Sequence, residues 1–400
     1  MPKTPSNLEI TRSSVHLDAM RGLAALTVMA GHTRELFFAS LAGTAAAAST
    51  VALASQKPEA KSITIGNEAV MIFFVLSGYL VGGSVLRSVW KGNWSWRTYL
   101  GKRLTRLWVV LIPAILFSVA LDNVGLRAFP EPTSVYAPPP ELQEVPAGYR
   151  AHLGPATVAG NMLFLQTIAV PTAGTNSALW SLANEFWYYI AFPLLVLLLS
   201  RGTGLSQRLL YFALLAVLAW GVAGAVGGLF PIWILGAAVS ALPLRLPSRV
   251  ARILSATMAL VVLLAVVAIR RAPLPLLAAQ WTIALLFALL LYAVLHQTQS
   301  SRGGWYRAIA GFFSRISYSL YATHLSLAVF LCALVNRPWH QWTKTPANLL
   351  VVLALNALLI GVGYLFYRLF ESNTDKIRVR LLHRGFAEQH VPVSAPQSAH

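Results

Sequence analysis

The chain has 400 residues, of which 56% are hydrophobic and only 11% charged, against about 45–50% and about 25% in soluble proteins. This excludes an ordinary soluble enzyme and points to an all-α, polytopic membrane protein. A net charge of +18 would suggest nucleic acid for a soluble chain, but here the basic residues first report which loops face the cytoplasm, and no nucleic-acid role is expected.

At roughly 20 apolar residues per crossing, about ten spans are predicted, near 17–40, 67–88, 107–126, 178–199, 208–228, 229–244, 252–269, 274–296, 309–335 and 347–369. The sixth is short and flanked by proline. Most of the 31 Lys and Arg gather on one side if both termini are cytoplasmic, with the densest group, Arg87, Lys91, Arg97, Lys102, Arg103 and Arg106, between spans two and three. The expected organisation is a cytoplasmic segment 1–16, a membrane domain 17–371 and a basic, then polar cytoplasmic tail 372–400. An extracytoplasmic loop, about 127–177, contains the Pro-rich stretch 131–148. The small residues at 43–49 resemble a cleavage site, but Arg21 interrupts any short apolar core, so the first span is expected to be retained.

The first span, LDAMRGLAALTVMAGHTREL, carries ionisable groups inside apolar sequence. Arg21 and His32 are eleven residues apart, so on a helix they share a face to within about 20° and lie roughly 16 Å apart along the axis. Asp18 and Glu35 fall close to the same line. Ala24, Ala25 and Val28 between them read better as close helix packing than as a ligand groove. Ionisable groups at this depth are costly and mark a site or pathway, and neutral imidazole is a natural proton acceptor near pH 7.

The loop before span three supplies Arg103 and Arg106 on one face, either topology anchors or a bidentate phosphate clamp. In span four, Ser181, Glu185 and Tyr188 recur at helical spacing, and Glu185, entering from outside, is expected near the level of His32. A carboxylate there would raise the basicity of His32 and hold its tautomer; Glu35 competes for that role. Span nine aligns Ser317, Tyr321 and His324, which serve either a site or interhelical hydrogen bonds. The chain has no Gly-rich nucleotide loop, GxSxG elbow or HExxH pair, and with Cys332 alone and no histidine ligand spacing, no metal site is expected.

Arg followed after eleven residues by His, then FFVLSGYLVG (73–82), RLTR at 103–106, LWSLANEFWYY (179–189) and SYSLYATHL (317–325) together resemble the integral-membrane acyltransferases of acyltransferase family 3 over most of the chain. The resemblance implies an acyl-CoA-dependent O-acyltransferase of about ten helices in the bacterial inner membrane, acylating a hydroxyl of a sugar, polysaccharide or other glycosylated or polyketide acceptor. It implies no permanently bound cofactor, with acyl-CoA (acetyl-CoA) as co-substrate, and a homodimer stays open. Family roles carried over make His32 the essential catalytic residue and Arg21, Arg103 and Arg106 the donor-binding residues, while Ser181 and Glu185 match an SLxxE element. Tyr188, Tyr321, His324, Asp18 and Glu35 are supporting candidates. Where many members carry an acid just before FFVLSG, this chain has Met71, with Glu68 three residues earlier. No esterase-like domain is expected after the last span, which implies direct delivery to the acceptor. The competing reading is a proton-coupled transporter, which also needs ionisable groups within spans, but the paired broken helices common in transporters are absent from the sequence.

Overall fold

The computed structural model describes residues 12–38, 65–129, 134–137, 142, 145, 146, 148–243, 246–269, 274–296 and 304–387. Among these residues the fold is all-α, without a named strand. The stretch 43–49, most of the segment 1–16, much of 131–148 and the end of the tail lie outside the described residues.

Helix α1 (Arg12–Phe37) is followed by α2 (Ile65–Ser77), a π segment (Gly78–Gly82), α3 (Gly83–Trp90) and the long α4 (Trp96–Ala128). A short α5 (Pro155–Met162) precedes α6 (Trp180–Leu199), α7 (Leu205–Val226), α8 (Phe230–Ala241), α9 (Ser248–Ile269) and α10 (Leu276–Leu295). The chain then forms α11 (Trp305–Val335), α12 (Pro346–Leu369) and α13 (Thr374–Ala387). Eight helices among the described residues are long and apolar enough to cross a membrane, two fewer than the sequence suggests. α1 has 26 residues, long enough, but Asp18, Arg21, Arg34 and Glu35 take it out of the apolar set. α8 has only 12 residues, about 18 Å at 1.5 Å per residue, short of a hydrocarbon core of about 30 Å.

α11 is the hub, with 78% of its most apolar stretch inside the bundle, whereas that of α7 is wholly unburied. Exposed Leu209, Phe212 and Trp220 on α7 and Ile253, Leu260 and Leu264 on α9 form apolar faces that fit lipid, as expected for an integral membrane protein. α1 packs along α11; Ser314 Oγ donates to Asp18 at 2.7 Å, and Ala24, Ala25 and Val28 are buried core residues. Glu68 is also buried, on α2 beside α1.

Two local devices position the interior. Gly78 and Gly236 let the π segment and α8 touch backbone to backbone: a Cβ on Gly78 would come within 1.9 Å of the Trp233 carbonyl oxygen, and one on Gly236 within 2.0 Å of that of Val75. The second device is the turn back into the bundle ahead of α6. Buried Asp122 accepts hydrogen bonds from the Thr175 backbone N–H and hydroxyl, both at 2.8 Å. Asn176 donates to Ser118 Oγ (3.0 Å) and the Ala322 carbonyl (2.9 Å). Gly174 adopts φ +55°, and a Cβ there would stand 2.1 Å from the Asp122 carboxylate. These contacts start α6 deep between α4 and α11 rather than at the bundle's edge.

Candidate active site

α4 begins where Ser95 caps it, the side-chain oxygen accepting from Thr98 N–H, which places Arg103 and Arg106 in its second and third turns. Both line a cavity of about 130 Å³ together with Arg21 of α1. The other walls come from α2 and the π segment (Val70, Phe73, Phe74, Ser77, Leu80, Val81), α6 (Ser181, Leu182, Glu185, Tyr189) and α11 (Ser317, Tyr318, Tyr321). Three guanidiniums therefore face Glu185 across the cavity, with Glu371 acting on Arg21 and Arg106 from beside it, and among the described residues none of the three forms an ion pair within 4.0 Å. A site with this excess of positive charge suits an anion with several acceptor oxygens. Among the described residues no group of three His, Cys, Asp or Glu could hold a metal ion.

The cavity mixes charged and hydroxyl groups with apolar side chains. Arg103 donates to Ser84 Oγ at 3.4 Å, and its guanidinium lies over the rings of Tyr99 (5.7 Å) and Tyr189 (5.9 Å). Midway, Ser77 Oγ donates to Glu185 Oε1 at 2.6 Å while accepting from Trp233 Nε1 at 3.1 Å, and the Tyr189 hydroxyl donates to the same Glu185 oxygen. At the far end the Tyr321 hydroxyl donates to the Ala178 carbonyl at 3.0 Å. Its oxygen is thus left to accept from Ser181 Oγ at 2.5 Å. From Val81 to Val70 there are eleven residues, about 16 Å of helix.

Neither His32 nor His324 lines this cavity. Their rings adjoin each other, with centroids 5.3 Å apart, and His324 adjoins Tyr321 at 5.8 Å. Buried His324 places Nδ1 2.8 Å from the Tyr321 carbonyl oxygen and 3.1 Å from that of Leu320. Carbonyl oxygens only accept, so Nδ1 carries the hydrogen. The contacts run from cavity to Tyr321, to His324, to His32.

The structure thus rearranges the expected grouping. Arg21, Arg103, Arg106, Ser181, Glu185 and Tyr321 come together, but Glu185 joins the arginines and the hydroxyl network instead of standing beside His32. Tyr188 is excluded from the site: its hydroxyl donates to the Val226 carbonyl at 2.6 Å, and its ring packs among Phe74, Phe230 and Trp233. α8 claims that side of α6 and leaves the neighbouring Tyr189 to the cavity. Asp18 is engaged by Ser314, and Glu35 lies 4.0 Å from Arg34; neither lines the cavity.

Sequence reasoning passes over Ser77, Tyr189, Trp233 and the Asp122–Thr175–Asn176 anchor. Ser77 and Tyr189 stand inside the quoted FFVLSGYLVG and LWSLANEFWYY stretches, so polar residues in apolar runs are the signal that could have found them. Nothing local distinguishes Trp233 or Asp122.

A family model described as an acyltransferase domain, that of acyltransferase family 3, matches residues 15–368, nearly the whole chain. The protein belongs to this family of membrane acyltransferases. It is similar to the O-acetyl transferase of Shigella phage Sf6, with 26% identity over 153 residues, 38% of this chain and 41% of that relative. The match thus spans under half of the relative's length. No solved structure matches the chain with significance.

Proposed function

We propose that the protein transfers an acyl group, acetyl in the first instance, from acyl-CoA to a hydroxyl of a sugar-containing or other hydroxylated acceptor, working in the bacterial inner membrane with both termini cytoplasmic. The observation that carries this reading is one cavity lined both by Arg21, Arg103 and Arg106 and by apolar side chains such as Val70, Phe73 and Leu182. Coenzyme A phosphates fit the guanidinium end through charge-assisted hydrogen bonds. The pantetheine arm passes Ser77, Glu185 and Tyr189, and the thioester reaches Tyr321 about half a bilayer away. The printed name of the phage relative, an O-acetyl transferase, agrees with acetyl transfer to oxygen.

His32 acts in this scheme as general base for the acceptor hydroxyl. The hydroxyl O–H breaks as its oxygen attacks the thioester carbon; the C–S bond then breaks, and the thiolate leaves with the proton that His32 received. Tyr321 stands between the donor cavity and the histidine pair, so the acceptor approaches from the histidine side. Charge bias sets the direction: the arginine-rich end faces the cytoplasm, where acyl-CoA is made, and the acceptor comes from the opposite face. The test is thiol release from acetyl-CoA by protein in native membrane vesicles, followed colorimetrically. Release that depends on the protein supports the reading; no release above vesicles that lack it overturns it.

A further inference from the structure

A second hollow lies on the opposite flank of α4 from the arginine cavity and shares no residue with it. Its volume is about 530 Å³. Leu104, Trp108 and Ile112 of α4 form one wall, and Leu369, Phe370 and Ile377, from the end of α12 and the start of α13, form the other. These α4 side chains are only half-buried, so the groove opens to the outside of the bundle, where an integral membrane protein meets lipid. Along α4 it extends from Gly101 to Pro113, about 18 Å of helix, close to the roughly 15 Å of hydrocarbon in one leaflet. The polar hydrogens in its lining side chains are already committed. The Thr105 hydroxyl donates to the Gly101 carbonyl at 2.6 Å, and the Trp108 indole N–H donates to the Met162 carbonyl at 2.8 Å. A groove that offers hydrocarbon contact and no free side-chain donor suits an acyl chain rather than a sugar or nucleotide.

Positive charge stands at the Gly101 end. Lys102, Thr105 and Val109 fall on one stripe of α4, at i, i+3 and i+7, and the last two line the groove. The other wall reaches the same end: Phe366 meets Phe117 with ring centroids 5.1 Å apart, and the chain then descends past Phe370 into α13, which packs on α4. Arg380 follows Ile377 by three residues and shares its side of α13. Lys102 and Arg380 are exposed, and among the described residues neither has a hydrogen bond or ion pair. Their neighbours are engaged, Arg378 with Asp375 at 3.0 Å and Lys376 with Asn373 at 3.4 Å. We propose that the groove holds one acyl chain of an anionic phospholipid whose phosphate is bound by Lys102 and Arg380. The site needs neither the acyl donor nor the acceptor.

The experiment is native mass spectrometry of the full chain in mild detergent, titrated with phosphatidylglycerol or with phosphatidylcholine of the same acyl chains. The first phosphatidylglycerol should bind more tightly than the first phosphatidylcholine. A basic side chain at a membrane surface contributes about fivefold to anionic-lipid affinity. Lys102→Gln and Arg380→Gln should therefore each weaken phosphatidylglycerol binding about fivefold, and the double variant about twenty-fivefold, with phosphatidylcholine binding unchanged. Lys344→Gln, equally exposed on the connection between α11 and α12, should alter neither and controls for net charge. Val109→Trp fills the groove and should weaken binding of both lipids; Ile112→Trp carries this arm if Val109→Trp fails to fold. Glycerol phosphate, an anion without a chain, should not displace the lipid. Equal binding of the two lipids by the wild type, phosphatidylglycerol binding unmoved in the double variant or in the filled groove, or displacement by glycerol phosphate overturns the proposal. A homodimer that retains no lipid and that Val109→Trp dissociates overturns it too, and gives the groove to a second copy of the chain.

Discussion

Replacing Arg106 by alanine should spare the empty protein and weaken its complex with coenzyme A. Arg21, Arg103 and Arg106 line one small cavity with Glu185, and Glu371 acts on Arg21 and Arg106 from beside it. Unit charges about 10 Å apart repel by about 1.7 kcal/mol at an effective dielectric constant of about 20, and the two carboxylates offset part of that. Among the described residues Arg106 makes no hydrogen bond that α4 would lose, and the relieved repulsion is set against the lost attraction to Glu371, so its removal should leave the empty protein about as stable as the wild type. The complex should suffer, because a charge-assisted hydrogen bond contributes about 1.5–3 kcal/mol, a loss of about ten- to hundredfold in affinity. Thermal unfolding with and without coenzyme A reads both quantities, and titration calorimetry gives the dissociation constant. Arg103→Ala is the comparison: it also removes the contact to Ser84 and the stacking on Tyr99 and Tyr189, so it should lower the melting temperature of the empty protein. An Arg106→Ala protein that melts well below the wild type yet binds coenzyme A unchanged would refute the electrostatic reasoning and reduce this arginine to a structural anchor.

His32→Ala should abolish acyl transfer while leaving the melting temperature and coenzyme A affinity near wild type, since His32 does not line the cavity; retained turnover removes its role as base. Asp122→Ala strands the Thr175 N–H in the interior, at about 1–3 kcal/mol for an unsatisfied group, while the Thr175 hydroxyl keeps Ser326 Oγ at 3.2 Å; it should lower the melting temperature and open the turn before α6 to protease, with Asp122→Asn milder, and an unchanged cleavage pattern would dismiss the anchor. In a background with buried Cys332 replaced, single cysteines at exposed Ala156 and Lys91 should react with a membrane-impermeant thiol reagent from the outside and the inside respectively. Labelling of both from one side overturns the sidedness proposed for donor and acceptor.

Some of this was legible along the chain. Apolar runs and helical periodicity are local properties, so the sequence alone determined a helical membrane protein, the shared face of Arg21 and His32 on α1, and the pairing of Arg103 with Arg106 one turn apart. The order of its motifs carried the family. Tertiary structure decided which of these faces meet. Ser181, Glu185, Tyr188 and Tyr189 occupy one side of α6 by periodicity; packing of α8 against Tyr188, permitted by glycines 78 and 236, chose Tyr189 over its neighbour. The depth of Glu185 depended on Asp122 and Ser118 of α4 and Ala322 of α11 capturing Thr175 and Asn176, residues 53 to 146 positions apart in sequence. No local pattern encodes such a capture: it arises because buried backbone and side-chain polar groups must find partners, and only the folded bundle brings those partners within reach.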